Sequence, residues 1–232
     1  MLRLKRRADD LEELIDQRGI SHDDLERSLT DLEIANRWMG GRMTLLRHLL
    51  PKIEKVNSVL DVGCGPADML RAIADESRRR DLKISLTGVD INPEVLVSAR
   101  SRCKGYAEMS FIEASAASLP FADESFDVVI SSLLLHHLSQ AEAVKALSEM
   151  ARVARTRVII ADLVRSPVAF TSVLLVGKLV FGKLSRYDGP VSIRRAYKPK
   201  ELVEMARRAG LLNGRVYAGP VRMVLVYDKE GF

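Results

Sequence analysis

Cysteine and aromatic residues are scarce in this chain of 232 residues, which has two cysteines and 5% aromatic residues. Cys64 and Cys103 are too few for a disulfide framework or a zinc site, so we expect no metal site. A secretory signal is also missing, because the first residues, MLRLKRRADD, are charged from the start. The sequence therefore predicts a cytoplasmic protein.

The charge balance gives no strong indication of a polyanionic partner. The formal net charge is +5, and 29% of the residues are charged. Nucleic-acid surfaces often interleave basic and aromatic residues, and that pattern is absent from the sequence. The apolar fraction of 47% is high enough for a folded core and, at this length, for one large domain.

A glycine-rich turn follows an apolar run in Val59–Asp68, which reads VLDVGCGPAD. Gly63 and Gly65 allow the backbone to turn tightly and to approach a ligand, as at the nucleotide sites of parallel sheets. No lysine follows them, which excludes a P-loop, and the spacing G-x-G-x-x-G fails at its third glycine. An acid, Asp61, precedes the turn, and Ala67 is expected to limit positive φ at its position.

Strand and helix patterns alternate from residue 58 onward, whereas residues 1–50 show helical patterns only. This predicts one Rossmann-like, doubly wound α/β domain over 51–232, with a mostly parallel seven-stranded sheet and a C-terminal antiparallel hairpin. The first 50 residues form a helical N-terminal extension. The predicted strands are Ser58–Val62, Ile84–Val89, Met109–Ile112, Phe126–Ile130, Arg157–Ala161, Arg215–Ala218 and Met223–Tyr227. The predicted helices include Pro93–Arg102, Ala141–Val153 and Lys200–Ala209.

A second acid, Asp90, ends the strand that follows the glycine turn. It lies about one strand–helix–strand unit after Asp61, where an acid accepts hydrogen bonds from both hydroxyls of a ribose. Ile91 beside it is expected to cover an adenine face. As an alternative, Asp90 caps a helix or lies in a loop ahead of Asn92 and Pro93.

The motif acid-x-G-x-G-x-G resembles the first motif of class I S-adenosylmethionine-dependent methyltransferases. The resemblance runs from about Ser58 to Tyr227, because SLPFADESFDVVISSLLLHHL and SEMARVARTRVIIADL follow in the family's order. Ser115 and Ala116 stand where the family usually has an acid and an alanine, so the bond to adenine is expected to be weaker. The resemblance implies S-adenosyl-L-methionine as cofactor and S-adenosyl-L-homocysteine as product. The cofactor contacts it implies are Asp61, Gly63, Gly65, Asp90, Ile91, Ser115, Ala116 and Ser131. Arg42 in the helical extension is expected to hold the carboxylate of the cofactor.

Two of the four histidines, His136 and His137, follow the strand Phe126–Ile130 at its carboxyl end, where open α/β sheets bind ligands. In the phenol O-methyltransferases that this segment resembles, a histidine at the place of His136 is the general base. His137 matches a histidine that recurs in small bacterial relatives, where its role is partly structural. The two are not expected to face an acceptor equally. Without the motif, two histidines near a helix start are more often structural.

Two segments are candidate walls of an acceptor pocket. One is the helical extension over 1–50, as an acceptor cap. The other is an apolar insertion over 166–186, whose longest uncharged stretch is too short to span a bilayer. Its simplest interpretation is one buried helix; we favour a lid whose basic end touches a membrane surface. The candidate acceptor contacts are Arg37, Trp38, Phe170, Arg195 and Tyr197.

The sequence therefore predicts O-methylation of a small, largely apolar phenol, quinol or polyketide-like acceptor, with a histidine as general base. Two alternatives stay open. A nucleic-acid methyltransferase would explain the basic charge, although the Asn-Pro-Pro-aromatic signature is missing. A non-catalytic cofactor-binding protein would keep Asp61 and Asp90 alone. The oligomeric state is left open.

Overall fold

The computed structural model describes residues 4–17, 19–38 and 40–229, with every side chain in these ranges except that of Leu179. Residues 1–3, 18 and 39 of the predicted helical extension and residues 230–232 of the predicted α/β domain lie outside the described residues.

A seven-stranded sheet forms the centre of the protein. Its strands are β1 (Ser58–Val62), β2 (Ser85–Asp90), β3 (Met109–Glu113), β4 (Phe126–Ser132), β5 (Ala154–Leu163), β6 (Arg215–Ala218) and β7 (Arg222–Asp228). Their order is β3-β2-β1-β4-β5-β7-β6. The first five run parallel, and β7 lies antiparallel between β5 and β6. The predicted sheet and its C-terminal hairpin are confirmed.

The winding of the chain changes direction at β1. From β1 the chain proceeds to β2 and β3 on one side, and then returns to β4 on the other. Asp61 pairs with Gly88 of β2 and with Ile130 of β4. The loops after β1 and β4 therefore leave in opposite directions and open a crevice at the carboxyl ends of these strands.

Helices are set by local signals that the sequence contains. The helices are α1 (His22–Trp38), α2 (Gly41–Leu49), α3 (Asp68–Arg79), α4 (Pro93–Arg102), α5 (Gln140–Val153), α6 (Pro167–Val180), α7 (Lys183–Arg195) and α8 (Pro199–Arg208). Asn92 caps α4, and Ser139 caps α5 in a reciprocal capping box with Glu142. The three helices predicted above are confirmed to within one residue at each end.

Apolar side chains pack against both faces of the sheet. Val59 faces a cluster with Leu70 and Ile73 of α3, and the next residue, Leu60, faces a cluster with Leu147 of α5. This alternation follows from the two-residue period of a strand. Full burial of such a side chain contributes about 1.5–3 kcal/mol, so the two interfaces hold the sheet between its helices.

The insertion over 166–186 belongs to two helices, α6 and α7, which corrects the interpretation as one buried helix. The two helices enclose a small apolar cluster that includes Ala169, Ile193 and Leu163 at the end of β5. The outer side of α6 exposes Val168 and Leu175. None of the described helices is long and apolar enough to cross a membrane.

We expect Gly189→Ala to loosen the packing of α6 on α7. A Cβ atom on residue 189 would lie 2.5 Å from Cγ1 of Val173. Overpacking costs about 1–3 kcal/mol, more than the gain of up to about 1 kcal/mol in helix propensity. Denaturant titration should show a lower free energy of unfolding, partly restored by adding Val173→Ala. Gly105→Ala is the control, since the space around Gly105 is open. No coupling between the two substitutions would contradict a tight crossing.

Candidate active site

The turn after β1 brings the backbone close to its neighbours. Gly63 and Gly65 have φ angles of +71° and +52°, and the Gly63 amide donates to the Val89 carbonyl at 2.8 Å. A Cβ atom on Gly63 would lie 3.0 Å from Cδ1 of Leu134. Ala67 adopts φ +59°, contrary to the expectation that alanine limits positive φ, and α3 begins at the next residue. The two glycines therefore serve the tight turn that their spacing predicts.

The carboxylate of Asp90 ties this turn to the loop after β2. It accepts hydrogen bonds from the amides of Gly65 at 3.1 Å and Asn92 at 3.0 Å. Asn92, and not Asp90, caps α4, so the helix-cap alternative is wrong. Burial raises the pKa of Asp90, and the backbone hydrogen bonds oppose this shift. Each oxygen keeps a lone pair that a ribose hydroxyl can use, and Ile91 lies exposed beside it.

Ser115 and Ala116, the predicted adenine contacts, follow β3 in a tight turn. The Ser115 hydroxyl accepts a hydrogen bond from the amide of Ala117 at 3.2 Å, and the Ser115 carbonyl accepts one from Ser118 at 3.0 Å. The hydroxyl keeps its proton and one lone pair for a ligand. Contact with adenine stays a prediction.

Asp61 is 1% exposed, and its Oδ1 has no hydrogen-bond partner among the described residues. Burial, and then the charges of Asp68 and Asp90, raise the pKa of Asp61 well above its usual value. An unpaired buried carboxyl oxygen is costly, so this atom suits the ammonium group of the cofactor. Ser131 is fully buried, and its hydroxyl donates to the Val62 carbonyl at 2.7 Å. Contact of Ser131 with the cofactor stays a prediction.

A polar group borders the glycine turn at the start of α3. Asn36 on α1 donates from Nδ2 to the carboxylate of Asp68 at 3.3 Å and accepts from Arg222 at 3.4 Å. Arg222 is buried, and its Nε and Nη1 have no partners among the described residues. Burial lowers the pKa of Arg222 to about 10. Its guanidinium suits a carboxylate, a role that the sequence assigned to Arg42, which lines a neighbouring groove.

A cavity of about 150 Å³ lies beside α1, α6 and α7, at the carboxyl ends of β4 and β5. Leu133, directly after β4, has a φ of +59°, a strained conformation that costs about 1–3 kcal/mol and is typical of functional sites. The cavity adjoins the glycine turn, because Leu32 in its wall would lie 3.7 Å from a Cβ atom on Gly65. Its apolar lining residues are Ile15, Leu32, Ala35, Leu133, Leu163, Val173 and Phe181.

Glu13, His136 and His137 form a polar cluster in the wall of this cavity. Nδ1 of His136 lies 2.7 Å from Oδ1 of Asp162, and its Nε2 lies 3.6 Å from Oε1 of Glu13. Nδ1 of His137 lies 2.7 Å from Oδ2 of Asp16, and its Nε2 lies 4.0 Å from Oε2 of Glu13. The two rings therefore present Nε2 to one buried carboxylate.

Neighbouring charges keep His137 protonated at neutral pH. Burial alone would lower the pKa of His137, but Glu13, Asp16 and Asp162 outweigh it and raise the pKa to about 9. His137 is therefore a hydrogen-bond donor rather than a free base in this arrangement. Burial would raise the pKa of Asp162, yet the adjacent imidazole of His136 and other hydrogen bonds lower it overall.

Two arginines hold the turn that carries the histidines. Arg195 on α7 donates to the carbonyls of both histidines at 3.0 and 2.7 Å, and Arg7 donates to the Leu138 carbonyl at 2.6 Å. The Tyr197 hydroxyl donates to the same Leu138 carbonyl at 2.9 Å. Arg195 and Tyr197 are buried and engaged in this way, and their contact with an acceptor stays a prediction. They are positioning residues.

The other predicted acceptor contacts lie outside the cavity lining. Trp38 is 77% exposed, and it borders a separate groove with Arg37 and Arg42. Phe170 packs against the apolar cluster between α6 and α7 and does not line the cavity. Acceptor contact by Arg37, Trp38 and Phe170 stays a prediction that this cavity does not support.

The sequence did not indicate four acids of the site, which are Glu13, Asp16, Asp162 and Asp188. Asp162 directly follows a predicted strand, as Asp90 does, and this signal was available. Glu13 gave no signal, because its place depends on Asp188 of α7, which accepts hydrogen bonds from the amides of Leu14 and Ile15 at 2.7 and 3.1 Å. Burial raises the pKa of Asp188 to about 6.

Solved structures share this fold. An S-adenosylmethionine-dependent methyltransferase from Aquifex aeolicus matches with a TM-score of 0.62 at 18% identity, over 90% of this chain and 99% of that chain. Human N-acetylserotonin methyltransferase, in complex with S-adenosylmethionine, matches with a TM-score of 0.66 at 14% identity, over 90% of this chain and 56% of that chain. The fold is that of class I methyltransferases.

Sequence comparison adds the family. Residues 59–157 match the model of the methyltransferase domain family. The ubiquinone/menaquinone biosynthesis C-methyltransferase UbiE of Brucella anthropi is 28% identical over 217 residues, which cover 84% of this chain and 81% of that protein. The family model, this relative and the shared fold support a class I S-adenosylmethionine-dependent methyltransferase, with S-adenosyl-L-methionine as its cofactor. The predicted family and cofactor are confirmed.

We expect Asp90→Asn to weaken binding of S-adenosyl-L-homocysteine about tenfold to a hundredfold. The substitution keeps the shape but removes the charge, and hydrogen bonds to a charged group contribute about 1.5–3 kcal/mol. Isothermal calorimetry measures the affinity, and circular dichroism checks the fold. Glu94→Gln, an exposed acid in the same region, is the control. Unchanged affinity of the Asp90 variant would remove the ribose assignment.

We expect Asp68→Asn to make stability less dependent on pH. Burial, opposed by the Asn36 hydrogen bond, raises the pKa of Asp68 to about 6, above the ordinary value of 3.8. The folded state therefore holds this proton more tightly, and its stabilising effect is lost as pH rises from about 4 through 6. The free energy of unfolding at pH 4 and pH 8 should differ less in the variant. Asp10→Asn, an exposed acid, should leave the difference unchanged.

Proposed function

We propose that this enzyme transfers the methyl group to the hydroxyl oxygen of a small, largely apolar acceptor, such as a phenol, quinol or polyketide-like aromatic. The observation that carries the proposal is the cavity beside the glycine turn, which combines an apolar lining with the polar cluster of Glu13, His136 and His137. An apolar ring would fill the cavity, and its hydroxyl group would lie against the cluster.

The helical extension over 1–50 serves as the acceptor cap and the insertion over 166–186 as a lid. Supporting this, cavity-lining residues come from α1, α6 and α7. The exposed side chains Val168 and Leu175 of α6, with nearby Lys178, favour contact with a membrane surface. Such contact would give access to an acceptor with an alkyl tail. A cytoplasmic location stays a prediction.

S-adenosyl-L-methionine supplies an electrophilic methyl group with a good leaving group. The protein's own residues then have two tasks, which are alignment of the acceptor and removal of its proton. The proton acceptor is Nε2 of His136, because Asp162 occupies its Nδ1. Protonated His137 donates to the developing oxyanion, since its pKa is about 9. Arg195 keeps both rings in place through their carbonyls.

Methylation at a ring carbon of the same acceptor is the second candidate. It is favoured by the similarity to a relative named as a ubiquinone/menaquinone biosynthesis C-methyltransferase. Loss of the hydroxyl proton makes the ortho and para carbons nucleophilic as well as the oxygen. The two candidates therefore use the same cavity and the same cluster and differ in the product.

A nucleic acid as acceptor is less well supported. The cavity is small and mainly apolar, whereas RNA-modifying sites bind phosphates and flipped bases. A non-catalytic cofactor-binding role is also less well supported, because it gives no function to the cluster of Glu13, His136 and His137.

We expect labelled methyl transfer from S-adenosyl-L-methionine to para-hexylphenol and to related alkylphenols and quinols, and none to hexylbenzene or total RNA. His136→Gln should lower kcat about a hundredfold or more, as for loss of a general base, with cofactor affinity unchanged. Product NMR distinguishes O-methyl from C-methyl groups. His22→Gln, on the exposed start of α1, is the matched control. Label in RNA alone would overturn the proposal.

A further inference from the structure

The cluster of Glu13, His136 and His137 has the composition of a metal site. Each of the three side chains offers one ligand atom, and these atoms lie within 4.8 Å of one another. The oxygens of Glu13 lie 3.6 Å from Nε2 of His136 and 4.0 Å from Nε2 of His137. Around a tetrahedral ion with bonds of about 2.0–2.2 Å, ligand atoms lie about 3.3–3.6 Å apart, so small side-chain movements suffice.

A carboxylate holds the outer nitrogen of each ring. Asp162 lies 2.7 Å from Nδ1 of His136, and Asp16 lies 2.7 Å from Nδ1 of His137. Metal-ligating histidines commonly donate their second N–H group to a carboxylate, which fixes the tautomer and the ring orientation. Both rings are thereby set with Nε2 toward Glu13.

One carboxylate oxygen of Glu13 is buried and accepts no hydrogen bond from the described residues. Glu13 is 3% exposed, and its Oε1 has no hydrogen-bond partner among the described residues. A buried carboxylate oxygen is costly unless it is paired or coordinates a metal. Its backbone is held in place, because Asp188 binds the amides of Leu14 and Ile15. This oxygen, buried without a hydrogen bond and 3.6 Å from Nε2 of His136, is therefore available as a metal ligand.

We propose that Glu13, His136 and His137 bind a divalent transition metal ion of the zinc type, whose open coordination position takes the hydroxyl oxygen of the acceptor. This rests on the function proposed above. Two imidazoles and one carboxylate are the ligands of open, catalytic zinc sites, whereas Mg²⁺ and Ca²⁺ prefer oxygen ligands. The site adjoins the mainly apolar cavity, so an acceptor can reach the open position.

The ion changes which group activates the acceptor. Coordination lowers the pKa of the hydroxyl, so its proton leaves to solvent. Nε2 of His136 is then a metal ligand instead of the base, and His137 releases its Nε2 proton when the ion binds and coordinates as the neutral imidazole. The acceptor oxygen uses its electron pair to form the new O–CH₃ bond. The C–S bond of the cofactor breaks, and its electron pair stays on sulfur, which gives neutral S-adenosyl-L-homocysteine.

The test is metal binding by the full chain after treatment with a chelator. We expect one equivalent of Zn²⁺ or Co²⁺ per chain, with visible Co²⁺ absorption and no competition from Mg²⁺. Glu13→Gln and His137→Gln should each weaken Co²⁺ binding at least tenfold. Glu12→Gln, the exposed neighbouring acid, should leave it unchanged. Binding of S-adenosyl-L-homocysteine and circular dichroism show that the variants fold.

Acceptor ligation has its own readout. Para-hexylphenol should shift the Co²⁺ spectrum, and hexylbenzene should not. Absence of stoichiometric binding, or binding that both substitutions leave unchanged, would overturn the metal site. Full methyl transfer by the chelator-treated enzyme would also overturn it, while the proposed function would stand with His136 as base. A shifted spectrum without any methyl transfer would support the metal site and count against the proposed function.

Discussion

The site depends on burying an irregular turn, residues 135–138, at the carboxyl end of β4. Buried backbone carbonyls that lack partners are costly, and in this single 3-10 turn the carbonyls of His136, His137 and Leu138 accept hydrogen bonds from side chains. Guanidinium groups of Arg7 and Arg195 supply the donors, from opposite ends of the chain. Because the same turn carries both histidines, their positions depend on the N-terminal segment and on α7 together.

This constraint links the packing of the cap to the chemistry of the site. Asp188 on α7 fixes the segment that carries Glu13, and Arg195 on the same helix fixes the histidines. The close crossing at Gly189 holds α7 against α6. A movement of α7 would therefore change the cavity and the spacing of its polar cluster at the same time. Such a movement would affect the cofactor crevice less, because the crevice is formed by the turns that directly follow β1 and β2.

Much of the sheet and of the cofactor crevice was predictable because the signals are local. An apolar run predicts a buried strand, and glycines with an acid predict the turn after β1 and the acid after β2. The bond from Ser131 to the carbonyl of Val62 was not predictable, because a position at a strand end does not tell whether a hydroxyl faces a ligand or a backbone carbonyl. The bonds from Arg195 and Tyr197 to backbone carbonyls were not predictable either, because a polar side chain near a pocket can serve a ligand or the backbone.

The sequence by itself determined the individual strands, the cofactor motif and the two histidines, since each depends on residues close together in the chain. Only the tertiary structure decided which groups face those histidines. Glu13, Asp16, Asp162 and Arg195 reach them from separate elements, and no periodicity or spacing relates these residues. The physical reason is that ion pairs and hydrogen bonds between distant segments are set by packing of the whole chain, whereas strands, caps and turns are set by neighbouring residues.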